Sequence, residues 1–188
     1  MYLYVIKGNN RDASPELVRK CLKDYAADKA IDLPDEISII YAQNGKPYFP
    51  DIEQIHFSVS HSGDYWACVF ERIPVGFDIE DLNTKKNRFR LQDRIAKRYF
   101  TQEEYDYISK NKGDSFFEIW VRKEAYLKYK GTGIKEGLSS FNLVKEGKLL
   151  SELEDTFIES FKIYPELLGA YCANDRLVLE KVVEYECN

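Results

Sequence analysis

No stretch of the 188-residue sequence approaches the roughly 18 consecutive apolar residues that a membrane helix needs, so the chain does not read as membrane-spanning. The opening segment MYLYVIKGNNRD has no basic lead and only a short apolar run. It therefore reads as a first strand and not as an export signal. There is no excess of basic charge: 27 Lys and Arg stand against 32 Asp and Glu, a formal net charge of −5. That balance argues against a dedicated nucleic-acid binder while leaving local basic patches open. The four cysteines, Cys21, Cys68, Cys172 and Cys187, form no CxxC pair and no ladder of spacings. Reduced thiols and a cytoplasmic protein are expected. Low-complexity linkers and repeats are absent as well.

What is present is a soluble, globular composition, 44% hydrophobic and 31% charged. The 14 Tyr, 11 Phe and 2 Trp imply a core filled with large rings, which suggests sheets packed on helices. The length admits one large domain or two compact halves. Tyr2 to Lys7 reads as a strand, and a helix opens at Ser14 with Pro15 in its first turn and a stripe of Leu17, Val18, Cys21, Leu22 and Tyr25. A β-branched run from Ile37 to Gln43 ends at Asn44-Gly45, a hairpin signal. Strands are expected at Ile55 to Ser60, Tyr65 to Glu71 and Val75 to Glu80, and later near Phe141 to Lys145, Phe157 to Ile163, Leu168 to Ala173 and Leu177 to Glu184. Between these two groups the pattern is helical. A basic amphipathic helix from Lys85 has Leu91, Ile95 and Tyr99 as its apolar side, and TQEE and SFFE at Thr101 and Ser115 have the form of capping boxes. The second of these helices runs to Lys130 and stops at Gly131, which suits a left-handed cap.

Three constellations carry chemistry. In VGFDIED, if Val75, Phe77 and Ile79 face a core, Asp78 and Glu80 share the opposite face of the strand, roughly 7 Å apart at Cα. They are then close enough to converge on one divalent cation; the plain alternative is a half-exposed strand with solvated acids. In FFEIWVRKEAYLKYKGTG, a helical projection puts Glu124 and Lys128 in one arc with Phe116, Phe117, Trp120, Val121 and Leu127. On a surface that pair would contribute only about 0.3–0.5 kcal/mol, but burial among such rings costs several kcal/mol unless partners compensate. A third carboxylate and a lysine beside Asp78 and Glu80 suit Mg²⁺, a hard cation that commonly bridges carboxylates to a substrate's phosphates. In FSVSHSG, Ser60-His61-Ser62-Gly63 offers hydroxyls, an imidazole and a tight turn to an anion, or is an ordinary turn. His61 is poorly placed as a base for Ser60, because neighbours on a strand point apart.

In the same order and with matching spacings, GKPYFPD, HFSVSHSGDYWACVF, PVGFDIED, IAKRYFTQEEY and FFEIWVRKEAYLKYKGTGI resemble the Sfp-type 4′-phosphopantetheinyl transferases, from about Gly45 to Ile134. The resemblance implies an α+β fold, a pseudo-symmetric pair of α/β halves with coenzyme A and Mg²⁺ in the cleft between them. The halves are expected at residues 1–74 and 75–188. It implies transfer of the 4′-phosphopantetheine arm of coenzyme A to a serine of an apo acyl or peptidyl carrier protein, with release of 3′,5′-ADP. Residue by residue, Asp78, Glu80 and Glu124 fall on the family's metal-ligand positions, with Mg²⁺ the expected ion and Mn²⁺ an admissible one. Lys128 falls on the lysine that meets the coenzyme's phosphates, Ser60 and His61 on phosphate-contacting residues, and Lys46 on the GKP lysine near the nucleotide. Lys123 falls on the lysine of the KE pair. Catalysis is expected from Lys128, which offsets charge on the pyrophosphate, and from Glu124, which accepts the serine proton.

Larger members of the family carry a longer basic N-terminal segment that grips the 3′-phosphate, whereas 44 residues precede the GKP motif here. Arg11, or Arg19 and Lys20, are the candidates to replace it. The seven basic residues Lys85, Lys86, Arg88, Arg90, Arg94, Lys97 and Arg98, facing only Asp93, read either as a solvated face or as a ridge that steers acidic carrier proteins. Partners are expected to be coenzyme A and a carrier protein, with no nucleic acid or membrane, and the chain is expected to be a monomer. The competing functions are a catalytically weak relative that binds carriers and a metal-dependent phosphodiesterase.

Overall fold

The computed structural model describes residues 1–8, 13–85, 89–133 and 137–186. Two four-stranded sheets form the frame. The first half runs β1 (Tyr2–Lys7), α1 (Ser14–Asp28), β2 (Ile40–Tyr41), β3 (Pro47–Tyr48), β4 (His56–Ser62) and β5 (Tyr65–Glu71). The second runs β6 (Val75–Asp81), α2 (Leu82–Lys85), α3 (Phe89–Tyr99), α4 (Gln102–Asn111), α5 (Ser115–Lys130), β7 (Val144–Lys145), β8 (Lys148–Leu149), β9 (Glu152–Leu153), β10 (Thr156–Tyr164) and β11 (Leu167–Ala173). The closing strand β12 (Lys181–Glu186) returns to the first sheet, whose order is β12-β1-β5-β4; the second sheet is β6-β11-β10-β9. In both sheets the first strand pairs antiparallel with the third long strand, and that strand with the second. The unit of strand, helix and hairpin therefore occurs twice, an α+β architecture made of two similar halves.

One boundary differs from expectation. β12 lies parallel to β1, from Tyr2 beside Lys181 to Lys7 beside Glu186, so the division at residue 74 does not hold for the last strand. Local sequence shows that KVVEYE is strand-like, whereas the choice of neighbour is made by Val183 and Tyr185, which pack on the cluster beneath the first sheet.

Three apolar clusters hold the halves. Tyr2, Tyr4 and Ile6 join Val18, Cys21, Leu22 and Tyr25 of α1 on the outer face of the first sheet. Leu3, Val5 and Val69 meet Val75, Phe77, Ile79 and Leu167 between the sheets. Ile119, Val121, Ala125 and Leu127 of α5 pack on Ile158, Ala170 and Cys172 of the second sheet. Cys21, Cys68 and Cys172 are free thiols buried within these clusters, and burial raises the pKa of each. Cys187 lies outside the described residues. Among the described residues no helix is long and apolar enough to cross a membrane.

Two helix signals had different outcomes. Thr101 caps α4 with a complete capping box: its hydroxyl accepts from the Glu104 N–H and Glu104 returns a bond to the Thr101 N–H. At Ser115 the matching pattern forms no box. Ser115 is the first helical residue, and Asp114 precedes it without a side-chain cap. The α4–α5 connection turns at Lys112 and Gly113, both at positive φ, and this short turn sets the start of α5. The basic helix also differs from its sequence reading. Leu91 and Tyr99 are 44% and 45% exposed, while Ile95 packs on the core as expected, together with the buried Gln92 and Ala96.

Candidate functional site

β6 is a long strand of the second sheet whose acids face a helix. Val75, Phe77 and Ile79 point between the sheets, and the two-residue period turns Gly76, Asp78 and Glu80 toward α5. Asp78 is 7% and Glu80 3% exposed, so the solvated-strand alternative is excluded. Close approach of α5 depends on Gly76: a Cβ there would lie 2.0 Å from the Ala125 carbonyl oxygen and 2.4 Å from the Tyr129 nitrogen. The missing side chain lets the helix press Glu124 and Lys128 against the acidic face of the strand.

Ser60, His61, Asp78, Glu80, Glu124 and Lys128 line one cleft of about 610 Å³, with Trp120 and Ser14 on its walls. Lys128 Nζ donates to Asp78 Oδ1 at 2.8 Å and to the Val59 carbonyl at 3.1 Å. Its cation thus rests on the strand acid and not on Glu124, its neighbour one turn away. Glu124 Oε1 is buried and accepts no hydrogen bond from the described residues. Burial first, and the Asp78 and Glu80 charges with it, push the Glu124 carboxyl up to about 7 against the opposing pull of Lys128. The His61 ring is exposed at the cleft.

The Ser60 hydroxyl is turned toward β6. It donates to Asp78 Oδ1 at 2.7 Å and accepts from the Ile79 N–H at 3.2 Å. Lys46 lines an adjoining cavity of about 220 Å³ that shares Lys128 with the cleft and is also bounded by Gly131 and Gly133. Lys46 Nζ donates to the Val75 and Tyr129 carbonyls at 3.3 Å each, and burial lowers its pKa. Gly131 ends α5 at φ +71°, where a Cβ would also press on Asn44.

Lys123 faces away from the cleft. Fully buried, it pairs with Glu104 at 2.8 Å and donates to the Leu138 and Phe141 carbonyls. Glu104 in turn accepts from the N–H groups of Thr101 and Leu143, so this is a saturated structural tie between α4, α5 and the segment after them. Of the candidates for an N-terminal anion grip, Arg11 lies outside the described residues. Arg19 donates to the Ile37 carbonyl and Lys20 sits 4.2 Å from the Tyr185 ring centre. Neither lines the cleft. On the basic helix Arg94, Lys97 and Arg98 are exposed and Lys97 pairs with Asp93; Lys86 and Arg88, and the side chains of Lys85 and Arg90, lie outside the described set.

Oxygen donors dominate the cleft, and the orphaned Glu124 oxygen beside two further buried carboxylates is the donor chemistry of a hard divalent cation. Among the described residues no three or more His, Cys, Asp or Glu side chains converge closely enough to hold a metal ion as they stand. The Lys128 ammonium is seated on Asp78.

Sequence reasoning missed the part played by Ser58 and Ser62, the close approach at Gly76, and Asp81. The Asp81 carboxylate is 5% exposed and accepts from the Asn83 N–H at the start of α2. Gly63 lies so near it that a Cβ would sit 2.2 Å from Asp81 Oδ2. Serine at every second position from Ser58 to Ser62 was the visible signal for the first of these.

Residues 74–172 match the family model of the 4′-phosphopantetheinyl transferase superfamily. The chain is 34% identical over 168 residues to the 4′-phosphopantetheinyl transferase Sfp of Bacillus subtilis (strain 168), covering 84% of this chain and 70% of that one. It is 30% identical over 187 residues to the 4′-phosphopantetheinyl transferase psf-1 of Bacillus pumilus, covering 94% and 78% respectively. The gsp transferase of Aneurinibacillus migulanus is 31% identical over 170 residues, 87% of this chain and 68% of its own. With the duplicated fold and the acidic cleft between its halves, the chain belongs to the 4′-phosphopantetheinyl transferase superfamily, enzymes that place the phosphopantetheine arm on carrier proteins.

Proposed function

We propose that the chain takes coenzyme A as donor, moves its 4′-phosphopantetheine arm to a serine hydroxyl of an apo acyl or peptidyl carrier protein, and releases 3′,5′-ADP with Mg²⁺ bound by Asp78, Glu80 and Glu124. The observation that carries this reading is the buried Glu124 oxygen without a hydrogen-bond partner among the described residues, set against Asp78 and Glu80 in a cleft that also holds a lysine. A divalent cation held there supplies charge stabilisation to a pyrophosphate, and Mn²⁺ meets the same oxygen donors. Lys128 leaves Asp78 to meet the bridging phosphates, offsetting negative charge that grows as the phosphoanhydride bond breaks. Glu124 accepts the proton of the attacking serine. His61, exposed on the strand end, and Lys46, in the adjoining cavity, bind the remaining phosphate and the nucleotide. The exposed Arg94, Lys97 and Arg98, with Leu91 and Tyr99 beside them, form the ridge that receives an acidic carrier.

The deciding assay incubates the chain with coenzyme A, Mg²⁺ and a panel of apo acyl, peptidyl and aryl carriers and weighs the carriers by mass spectrometry. Gain of the arm on one carrier supports the transferase. Failure across the panel overturns it, and hydrolysis of coenzyme A without an acceptor would point to a phosphodiesterase.

A further inference from the structure

β4 and β6 lie side by side at the junction of the two sheets, but no backbone ladder joins them. Three serine hydroxyls on β4 take the place of the missing carbonyls. Ser58 Oγ accepts from the Phe77 N–H at 3.0 Å, Ser60 Oγ from the Ile79 N–H at 3.2 Å, and Ser62 Oγ from the Asp81 N–H at 3.0 Å. All three serines are buried, so each of these N–H groups would otherwise be an unpaired donor away from water. The strand edge is satisfied by side chains spaced at the two-residue period, which also locks β6 in register; a slip of two residues would carry both acids roughly 7 Å along the cleft.

Within this row Ser60 is different. The Ser58 proton goes back to the Phe77 carbonyl at 3.4 Å, whereas the Ser60 proton goes to Asp78 Oδ1 at 2.7 Å. A hydroxyl has one proton and two lone pairs, so Ser60 spends its proton and one lone pair within the protein. Asp78 Oδ1 is shared between Ser60 and Lys128, and Oδ2 is engaged by neither. We propose that Ser60 is a positioning residue that sets the orientation of the Asp78 carboxylate for a divalent cation, in place of the phosphate contact that its motif suggests. The proposal rests on the metal-site reading above. When Lys128 moves to a phosphate, Ser60 is the partner that keeps Oδ1 in place. Its role is that of a hydrogen bond behind a metal ligand, whose loss typically weakens metal affinity 10- to 100-fold.

The test measures Mn²⁺ binding to the full chain without coenzyme A, by the loss of the free-ion electron paramagnetic resonance signal, together with melting temperature. Ser58→Ala, Ser60→Ala and Ser62→Ala each remove one seam bond, so all three should lower the melting temperature. Only Ser60→Ala should weaken Mn²⁺ binding, by roughly tenfold or more, with Ser58→Ala and Ser62→Ala within about twofold of the parent. Ser60→Thr keeps the hydroxyl and should restore affinity. If Ser60→Ala binds Mn²⁺ like Ser58→Ala and instead raises only the KM for coenzyme A, Ser60 is a phosphate contact and the proposal is overturned. If the parent chain binds no Mn²⁺ while Asp78 and Glu124 are intact, the metal-site reading itself falls, an outcome distinct from equal binding by the serine variants.

Discussion

β1 and β6 hold equivalent places in the two halves, yet one fills a core and the other makes a site. Each turns alternate residues between the sheets, Leu3 and Val5 in one, Val75, Phe77 and Ile79 in the other. Toward its helix β1 presents Tyr2, Tyr4 and Ile6, which close on Val18, Cys21, Leu22 and Tyr25 of α1. β6 presents Gly76, Asp78 and Glu80 to α5, which answers with Glu124 and Lys128. The same layer therefore contributes burial of large rings in the first half, while in the second it accepts the cost of crowded carboxylates.

The largest test of that contrast removes the acids. Asp78→Ala or Glu124→Ala should lower transfer by about a thousandfold or more, while far-ultraviolet circular dichroism and the cooperative melt remain. A variant of either kind that turned over at the parent rate would take that residue out of the site. Next in size is Gly76→Ala, whose added carbon meets the backbone of α5. Backbone cannot give way as a side-chain tip does, so a stability loss of about 3 kcal/mol in denaturant melts is expected, with transfer falling alongside. Unchanged stability would mean that the helix approach at Gly76 is not what holds the halves of the site together.

A smaller effect is confined to pH. Glu124 is raised from 4.5 to about 7 in the folded protein, so its ionisation opposes folding: the penalty is absent below pH 4.5, grows as pH rises, and is complete above about pH 7. Metal-free Glu124→Gln should therefore be more stable than the parent at pH 8, by up to about 3 kcal/mol, and equal to it near pH 4.5. A constant difference at all pH values would place the strain elsewhere. Smallest is charge reversal of Arg94, Lys97 and Arg98, all exposed. It should raise the KM for an acidic carrier several-fold at low salt, with kcat kept and the effect fading as salt is added. A KM independent of both changes would reduce this helix to a solvated face.

Much of this contrast is legible in the residues themselves. The alternation of VGFDIED and the helical spacing of Glu124 and Lys128 among large rings put four of the cleft's side chains on the correct faces, because period and burial are local properties of a chain. What the sequence hides is what lies beside a strand. Ser58, Ser60 and Ser62 can be counted, but their partners at Phe77, Ile79 and Asp81 stand on another strand. β12 reads as a strand yet gives no sign that β1 is its neighbour. Of the Leu91, Ile95 and Tyr99 stripe only Ile95 packs on the core, because helical spacing alone does not show which side the core occupies. The capping pattern at Ser115 has the same form as the one at Thr101, and only the turn at Lys112 and Gly113 separates their outcomes.

The return of β12 to β1 has a bearing on how the molecule assembles. Tyr2 and Lys181 are neighbours, so the first sheet stays one strand short until nearly the whole chain has been brought together. The closure entropy of so long a loop grows only slowly with its length and costs the native state little, but such distant pairings retard folding, since their cost precedes their reward. The first sheet, whose rings pack on α1, is consequently the one that cannot finish first, and β12 acts as a latch that ties its completion to the arrival of the second half.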